Sequence, residues 1–131
     1  RMIMQVNPVG WFEIYVQDMP RAKAFYEAVF QVKLENAPPN SAFPDMEMAF
    51  FAMDTEHYGA SGALVRMPKH DASGGDRTVV YFHCQDCAVE AARSTQLGGS
   101  LYKAKLSIGE HGYIALIKDT EGNMIGLHSM Q

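Results

Sequence analysis

The stretch WFEIYVQDMPRAKAFYEAVF, residues 11–30, decides the fold of this 131-residue chain. Its first part is rich in β-branched and aromatic residues, which predicts a strand over residues 9–17. Asp18 then supplies a helix N-cap, and Pro20 falls in the first helical turn, where its missing N–H costs least. Apolar residues recur after it at helical spacing, so residues 20–30 are predicted to form an amphipathic helix.

The same order of elements returns in the second half of the chain. Residues 78–84 have strand composition, Asp86 stands where an N-cap belongs, and residues 87–97 have helical periodicity. Gly98 and Gly99 follow as the expected end of that helix. Each half is completed by three predicted strands, which gives βαβββ twice; their ranges are 32–34, 46–53 and 61–66 in the first half and 100–104, 113–118 and 123–128 in the second.

Short sequence matches relate the two halves to each other. The capping residues Asp18 and Asp86 lie 68 residues apart, and the turns MDTE and KDTE lie 65 apart. Gly62 and Gly126 follow those turns at a separation of 64. Three matches in the same order indicate an internal repeat of two modules that bury a shared face.

These patterns predict an α+β fold in which two βαβββ modules form a curved, mixed β-sheet cup with the helices on its outer face. We expect one domain over residues 1–131, with module one at about 7–66 and module two at about 78–129. Residues 67–77, MPKHDASGGDR, have the composition of an exposed linker.

Composition excludes several classes of function. The net charge of −4 and the pI near 5.7 argue against nucleic acid as a partner, because phosphate binding needs clustered Lys and Arg. The apolar runs are short and interrupted, so no membrane segment is expected. The two cysteines and the lack of a signal-peptide pattern at the start predict a cytoplasmic protein.

Strand alternation separates apolar rows from mixed rows. The apolar rows are expected under the helices, and the mixed rows are expected to line the cup, where a small molecule would bind. The mixed rows are Trp11, Glu13 and Tyr15 in the first strand, Val79, Tyr81 and His83 in its repeat partner, and Met124, Gly126 and His128 in the last strand.

The stretch at residues 11–30 and the stretch YIALIKDTEGNMIGLH at residues 113–128 resemble the vicinal oxygen chelate superfamily. This superfamily includes glyoxalase I, bleomycin-resistance proteins and extradiol dioxygenases, and the resemblance extends from about residue 7 to residue 129. It is greatest to small stand-alone members described as glyoxalase-like. The resemblance implies a small-molecule ligand and a homodimer, and it does not indicate which reaction or ligand.

Metal-bearing members of the superfamily place His, Gln or Glu at four matched positions, on the first and last strand of each module. In this chain those positions fall on Trp11, Gly62, Val79 and Gly126. None of these residues binds a metal through its side chain. The resemblance therefore implies a relative that holds neither the metal nor another cofactor.

Glu13 is the strongest candidate for catalysis, because a carboxylate on the cup face can act as a general base or as a polar anchor. A purely structural hydrogen bond to a neighbouring backbone group or tyrosine is the alternative. Tyr81, His83 and His128 are candidate ligand contacts, and ordinary polar lining is their alternative. With Glu13, the two histidines also make a possible two-His, one-carboxylate metal site.

Three aromatic side chains, Trp11, Tyr15 and Tyr113, are candidates to stack on a planar ligand, with packing between modules or across a dimer as the alternative. Cys84 and Cys87 form a C-x-x-C pair that invites a redox interpretation. Cys84 falls on the apolar row, however, and Asp86 between them is more simply an N-cap, which makes that interpretation the weaker one.

Three hypotheses of function follow. The first is a metal-free protein that binds a small molecule, or an enzyme that works on it by acid–base chemistry with Glu13. The second is a metal-dependent lyase, isomerase or dioxygenase whose ligands are Glu13, His83 and His128. The third is a structural or regulatory module whose cup is filled by its own side chains.

Overall fold

The computed structural model describes residues 7–67 and 77–131. Within them the chain has the predicted α+β architecture, with the order βαβββ occurring twice. The first set is β1 (Val9–Tyr15), α1 (Met19–Phe30), β2 (Glu35–Asn36), β3 (Glu47–Phe50) and β4 (Ser61–Arg66). The second set is β5 (Thr78–His83), α2 (Cys87–Gln96), β6 (Ser100–Ser107), β7 (Tyr113–Lys118) and β8 (Met124–Ser129), with a 3₁₀ turn at Gly109–His111 before β7.

The chain divides into two compact units. The first unit is Trp11–Thr78, and the described part of the second unit is residues 7–10 together with Val79–Gln131. Most of the predicted linker, with His70, lies outside the described residues. No helix in the described part of the chain has the length and hydropathy that crossing a bilayer requires.

In the first unit the strands follow the order β2-β3-β4-β1, with β1 and β4 parallel and the other pairs antiparallel. Helix α1 begins as predicted, because Asp18 Oδ1 accepts the Arg21 N–H at 2.9 Å. It ends at Phe30, where Gln31 adopts a left-handed conformation. A core of Met19, Leu34, Ala49 and Leu64 lies between helix and sheet, with Ile14 and Val16 packed against it.

Strand β2 begins three residues later than predicted. The predicted strand at 32–34 does not form, because Gln31 turns the chain with φ 53° and the Leu34 N–H is taken by Glu27 Oε2 at 2.8 Å. Pairing with β3 starts only at Glu35. Half of the other predicted ends move by one to three residues, the largest changes being the shorter β3 and the longer β6.

In the second unit the order is β5-β8-β7-β6, with β5 and β8 parallel and the other pairs antiparallel. Asp86 caps α2 by accepting the Ala88 N–H at 3.0 Å, and Gly98 follows the helix with φ 103°. The core between α2 and the sheet consists of Cys87, Ala91, Ala115, Ile117 and Leu127, against which Phe82, Cys84, Tyr113 and Ile125 pack.

Strand register corrects one predicted equivalence between the modules. Gly62 is the register partner of Phe12, and a Cβ on Gly62 would lie 2.6 Å from the Phe12 ring, so Gly62 belongs to the row that faces α1. Gly126 pairs with Tyr81, which precedes its capping aspartate by five residues, as Glu13 does. The partner of Glu13 is Ala63, so Ala63 rather than Gly62 corresponds to Gly126.

Candidate functional site

Three side chains on one face of β1 form a hydrogen-bonded group, which we call the β1 triad: Trp11, Glu13 and Tyr15. The Trp11 indole N–H donates to Glu13 Oε2 at 3.2 Å, and the Tyr15 hydroxyl donates to Glu13 Oε1 at 3.0 Å. Because residues two apart in a strand share a face, the sequence pattern alone brings the three together. The triad lies opposite the row of Ile14 and Val16 that packs toward α1.

Neighbouring aromatic and cationic groups hold the triad in place. The Trp11 ring meets Phe50 edge to face, with 5.9 Å between ring centroids. The Arg77 guanidinium lies 4.9 Å from the centre of the Tyr15 ring, and the Tyr15 N–H donates to the Arg77 carbonyl at 2.8 Å. Trp11 and Tyr15, at the two ends of the triad, each have a further contact, and Tyr15 contacts both the Glu13 carboxylate and the Arg77 guanidinium.

The Tyr15 phenol is buried, with 9% of its surface exposed. Burial raises the pKa of the Tyr15 hydroxyl well above its ordinary range, the charge of Glu13 and its hydrogen bond raise it further, and Arg77 offsets part of this. The hydroxyl therefore stays protonated at neutral pH and remains a donor to Glu13.

In the second unit the ring of Tyr81 lies across Gly126. The two residues are register partners on β5 and β8, and a Cβ on Gly126 would lie 2.4 Å from Tyr81 Cδ2. An aromatic ring that covers a glycine on the neighbouring strand fills the space that a side chain would otherwise take. Gly126 is therefore required by the buried Tyr81 ring.

His83 and His128 are also register partners, but their rings have contacts on opposite sides. The His83 ring lies so close to Gly10 that a Cβ there would come within 2.2 Å of it, and the His83 N–H donates to the Pro8 carbonyl. His128 Nε2 lies 2.6 Å from the carbonyl oxygen of His111, in the turn before β7. The two imidazoles are directed to different neighbours, which removes the support for a shared two-histidine metal site.

Tyr113 lies on the other face of its sheet. Its ring packs against the core under α2, its register partner is Ser129, and Lys105 Nζ lies 4.6 Å from the ring centre. Ser129 Oγ in turn accepts the Cys87 N–H at 3.0 Å, which identifies this as the helix-covered face. Tyr113 is thus separated from Tyr81 and His128 by the sheet, in contrast to its predicted place in the cup lining.

The C-x-x-C pair lacks the features of a redox site. Burial raises the pKa of the Cys84 thiol to about 12, and the charge of Glu90 contributes to this. Cys87 has no exposed surface and belongs to the core under α2. Both cysteines are free thiols, and their position at the junction of β5 and α2 serves packing and helix capping.

Comparison with known proteins places this architecture in a family. The family description Glyoxalase/Bleomycin resistance protein/Dioxygenase superfamily matches residues 8–127. The chain belongs to this superfamily. A comparison with curated proteins gives no match.

Several solved structures share the fold of this chain. Methylmalonyl-CoA epimerase from Mycobacterium tuberculosis has a TM-score of 0.70 at 19% identity, covering 99% of this chain and 93% of that one. A variant of Streptomyces coelicolor methylmalonyl-CoA epimerase, in complex with 2-nitronate-propionyl-CoA, has 0.69 at 15%, covering 95% and 98%. A hypothetical protein from Bacillus halodurans has 0.70 at 10%, covering 94% of each chain. At such identities the likeness concerns the fold alone.

The residues of this superfamily member do not fit the metal of its metal-bearing relatives. With the corrected register, the four matched positions are Trp11, Ala63, Val79 and Gly126, and their side chains offer no metal ligand. Among residues 7–67 and 77–131, no three or more His, Cys, Asp or Glu side chains are grouped so that they could hold an ion.

Several partners of the candidate residues were not predicted from the sequence. Arg77 is the last residue of the predicted linker, and nothing in the local pattern indicates a contact with Tyr15. Gly10 precedes the first strand's aromatic run and carries no signal that an imidazole lies against it. Gly112 has φ 102° in a tight turn, and the sequence signal for that turn is the pair Gly109 and Gly112 between two predicted strands.

Proposed function

We propose that this protein binds a small, planar, uncharged molecule at the β1 triad, and that it does so without the metal of its metal-bearing relatives. The observation that carries this proposal is the carboxylate of Glu13, held between two aromatic donors on a single strand. A carboxylate is a strong hydrogen-bond acceptor, so its chemistry suits a hydroxyl or N–H donor of the ligand.

The chemistry of the triad favours a neutral ligand over an ionic one. The Trp11 and Tyr15 rings offer planar apolar surface, while Arg77 beside Tyr15 balances the charge of Glu13. The epimerase structures concern CoA thioesters, which carry several phosphate charges. A chain with net charge −4 and a triad built around a carboxylate is a poor match for those phosphates, so we assign this chain a smaller ligand.

Catalysis, if the bound molecule reacts, would rely on Glu13 as the proton acceptor. Its hydrogen bonds to Trp11 and Tyr15 fix the carboxylate in position. A general base must be held within reach of the proton that it removes. In the second unit, Tyr81, His83 and His128 remain candidate ligand contacts on the face of that sheet opposite α2. Tyr113 is not among these contacts, because it packs against the core under α2.

Trp11 provides a direct test, because it is the only tryptophan in the chain and bonds to Glu13. We would screen small hydroxylated and N–H aromatic compounds by quenching of Trp11 fluorescence. A true ligand should give a saturable change, and Glu13→Gln should weaken its binding by about tenfold, the value of one hydrogen bond to a charged acceptor.

The matched control is Glu47→Gln, which alters an exposed glutamate paired with Arg66 on the same sheet. This variant should bind as the unchanged protein does. Equal affinity in Glu13→Gln and Glu47→Gln, or no saturable ligand among compounds of this class, would refute the proposal.

Homodimer formation and a cytoplasmic location are further parts of the proposal. The first follows from the superfamily resemblance, and the second is supported by the two cysteines, both of them free thiols. Light scattering coupled to size exclusion should give twice the chain mass of 14.6 kDa. A monomer at micromolar concentration would contradict the dimer.

A further inference from the structure

A main-chain carbonyl fixes the protonation pattern of the His128 ring. His128 Nε2 lies 2.6 Å from the carbonyl oxygen of His111. A carbonyl oxygen can only accept a hydrogen bond, so Nε2 must carry the proton. In the neutral imidazole the lone pair is then on Nδ1, which becomes the only acceptor of the ring.

The turn that presents this carbonyl is closed by its own hydrogen bonds. The Gly112 N–H donates to the Gly109 carbonyl at 3.1 Å, and the Ile108 N–H donates to the Gly112 carbonyl at 2.9 Å. Gly112 has φ 102°, a conformation that favours glycine. A Cβ on Gly112 would lie 2.4 Å from the Ser129 carbonyl oxygen and 3.3 Å from His128 Nε2, so the turn fits closely against the ring.

His128 belongs to the face of its sheet that α2 leaves uncovered. Its neighbours along β8, Leu127 and Ser129, point toward α2, whereas His128 shares its row with Gly126 and the Tyr81 ring. The side chain is half-buried, and its register partner His83 is directed away toward Gly10. Because Nε2 of His128 is bonded to the His111 carbonyl, Nδ1 is the nitrogen of this ring that can accept a hydrogen bond from another molecule.

We propose that Nδ1 of His128 is a hydrogen-bond acceptor for a small molecule bound on the uncovered face of the second unit, and that the turn at residues 108–112 fixes the ring in that state. The inference rests on the proposed function, in that it assumes a small-molecule ligand, and it specifies the ligand's chemistry. A lone pair on Nδ1 accepts a hydrogen bond from a neutral hydroxyl or N–H group and repels a carboxylate or phosphate oxygen. The ligand class is therefore a neutral donor such as a phenol or an enol.

The protonation pattern can be measured without any ligand. Long-range nitrogen–proton correlation spectra of protein labelled with ¹⁵N-histidine, recorded at about pH 8, distinguish the two neutral forms of an imidazole. Single substitutions assign the five histidines. We expect His128 to carry its proton on Nε2. The variant His111→Ala should give the same result, because it keeps the main-chain carbonyl of residue 111. The Nδ1–H form, or a mixture of both, would overturn the inference.

Binding is then tested with phenol and with anisole, which has the same ring but no donor. Phenol should shift the His128 Nδ1 resonance selectively, and anisole should not. His128→Gln keeps a donor for the His111 carbonyl but lacks Nδ1, and it should weaken phenol binding by about tenfold. A phenol response matched by anisole, absent at His128, or unchanged in His128→Gln would contradict the inference.

The two proposals fail in distinguishable ways. If no compound quenches Trp11 while phenol shifts His128 as expected, the β1 triad is not the ligand site and the assignment of His128 stands. If ligands bind at Trp11 and the His128 resonances do not respond to phenol, the proposed function stands and the role of His128 is refuted.

Discussion

Gly126 illustrates at the residue scale how an absent side chain shapes a site. A methyl group there would overlap the Tyr81 ring, whose Cδ2 lies 2.4 Å from the position of the added Cβ. Because Tyr81 is buried, its ring can move only by disturbing the packing around it. We expect Gly126→Ala to lower the free energy of unfolding by about 1–3 kcal/mol, measured by urea denaturation.

A double-mutant cycle supplies the control for this prediction. Tyr81→Ala removes the ring and should be destabilising by itself, because it leaves a cavity. In the Tyr81→Ala background, Gly126→Ala should cost much less than in the unchanged protein. Additive costs would show that the overlap with Tyr81 is not the cause.

Tyr15 makes stability depend on pH in the alkaline range. Its pKa is raised by burial above the ordinary value of 10.0, which the unfolded chain retains. Below pH 10 Tyr15 is protonated in the folded and the unfolded state, and its contribution to the free energy of unfolding is complete. Above pH 10 the unfolded state loses this proton first. The free energy of unfolding should therefore fall by up to about 1.4 kcal/mol per pH unit above pH 10 from this residue.

Tyr15→Phe should remove this part of the alkaline loss, since phenylalanine does not titrate. Tyr58→Phe is the matched control, because Tyr58 is 96% exposed and should leave the pH dependence unchanged. The measurement is a series of urea denaturations on both sides of pH 10. Identical alkaline slopes in the two variants would contradict the assignment to Tyr15.

At the scale of elements, the junction of β5 and α2 should be chemically inert although it carries C-x-x-C. The thiolate is the reactive form, and a pKa of about 12 leaves Cys84 with roughly a thousandfold less thiolate at neutral pH than an ordinary cysteine. Cys87 is fully buried. Labelling of the folded protein with an aromatic disulfide should therefore be at least about a hundredfold slower than labelling in denaturant. Rapid labelling of the folded state would restore the redox interpretation.

Helix α1 depends on its cap in a way that the sequence already indicates. Asp18 Oδ1 accepts the Arg21 N–H at the start of the helix. Asp18→Ala should reduce the free energy of unfolding by about 1 kcal/mol, while Asp18→Asn, which keeps the acceptor oxygen, should be nearly neutral. Equal losses in both variants, measured by denaturation, would indicate that charge rather than capping is responsible.

At the scale of the whole molecule, we predict that the protein takes up no stoichiometric metal. The four positions that carry ligands in metal-bearing relatives hold Trp11, Ala63, Val79 and Gly126. Mass spectrometry on protein purified without chelator or metal-affinity resin, and again after incubation with zinc, nickel, iron and manganese followed by dialysis, measures this. One ion per chain that survives dialysis would contradict the prediction and favour a metal-dependent lyase, isomerase or dioxygenase.

The amino-acid sequence by itself determined the element order, both helix caps and the faces of β1 and β5. These features depend on neighbours within a few residues: an aspartate accepts an N–H of the next turn, and alternation assigns strand faces. For the same reason the sequence brought Trp11, Glu13 and Tyr15 together, since residues two apart share a face. It also showed that ligating side chains are missing where metal-bearing relatives carry them.

Only the tertiary structure decided which residues pair across strands. In β4 and β7 the residues on both faces are mostly apolar, so alternation could not tell which face is covered by a helix. Gly62 and Tyr113 lie on the faces that the helices cover. The partners of His83 and His128 come from chain segments 73 and 17 residues away, in Gly10 and His111. Register and such distant contacts are fixed by long-range hydrogen bonds and packing, which leave no trace in a local pattern.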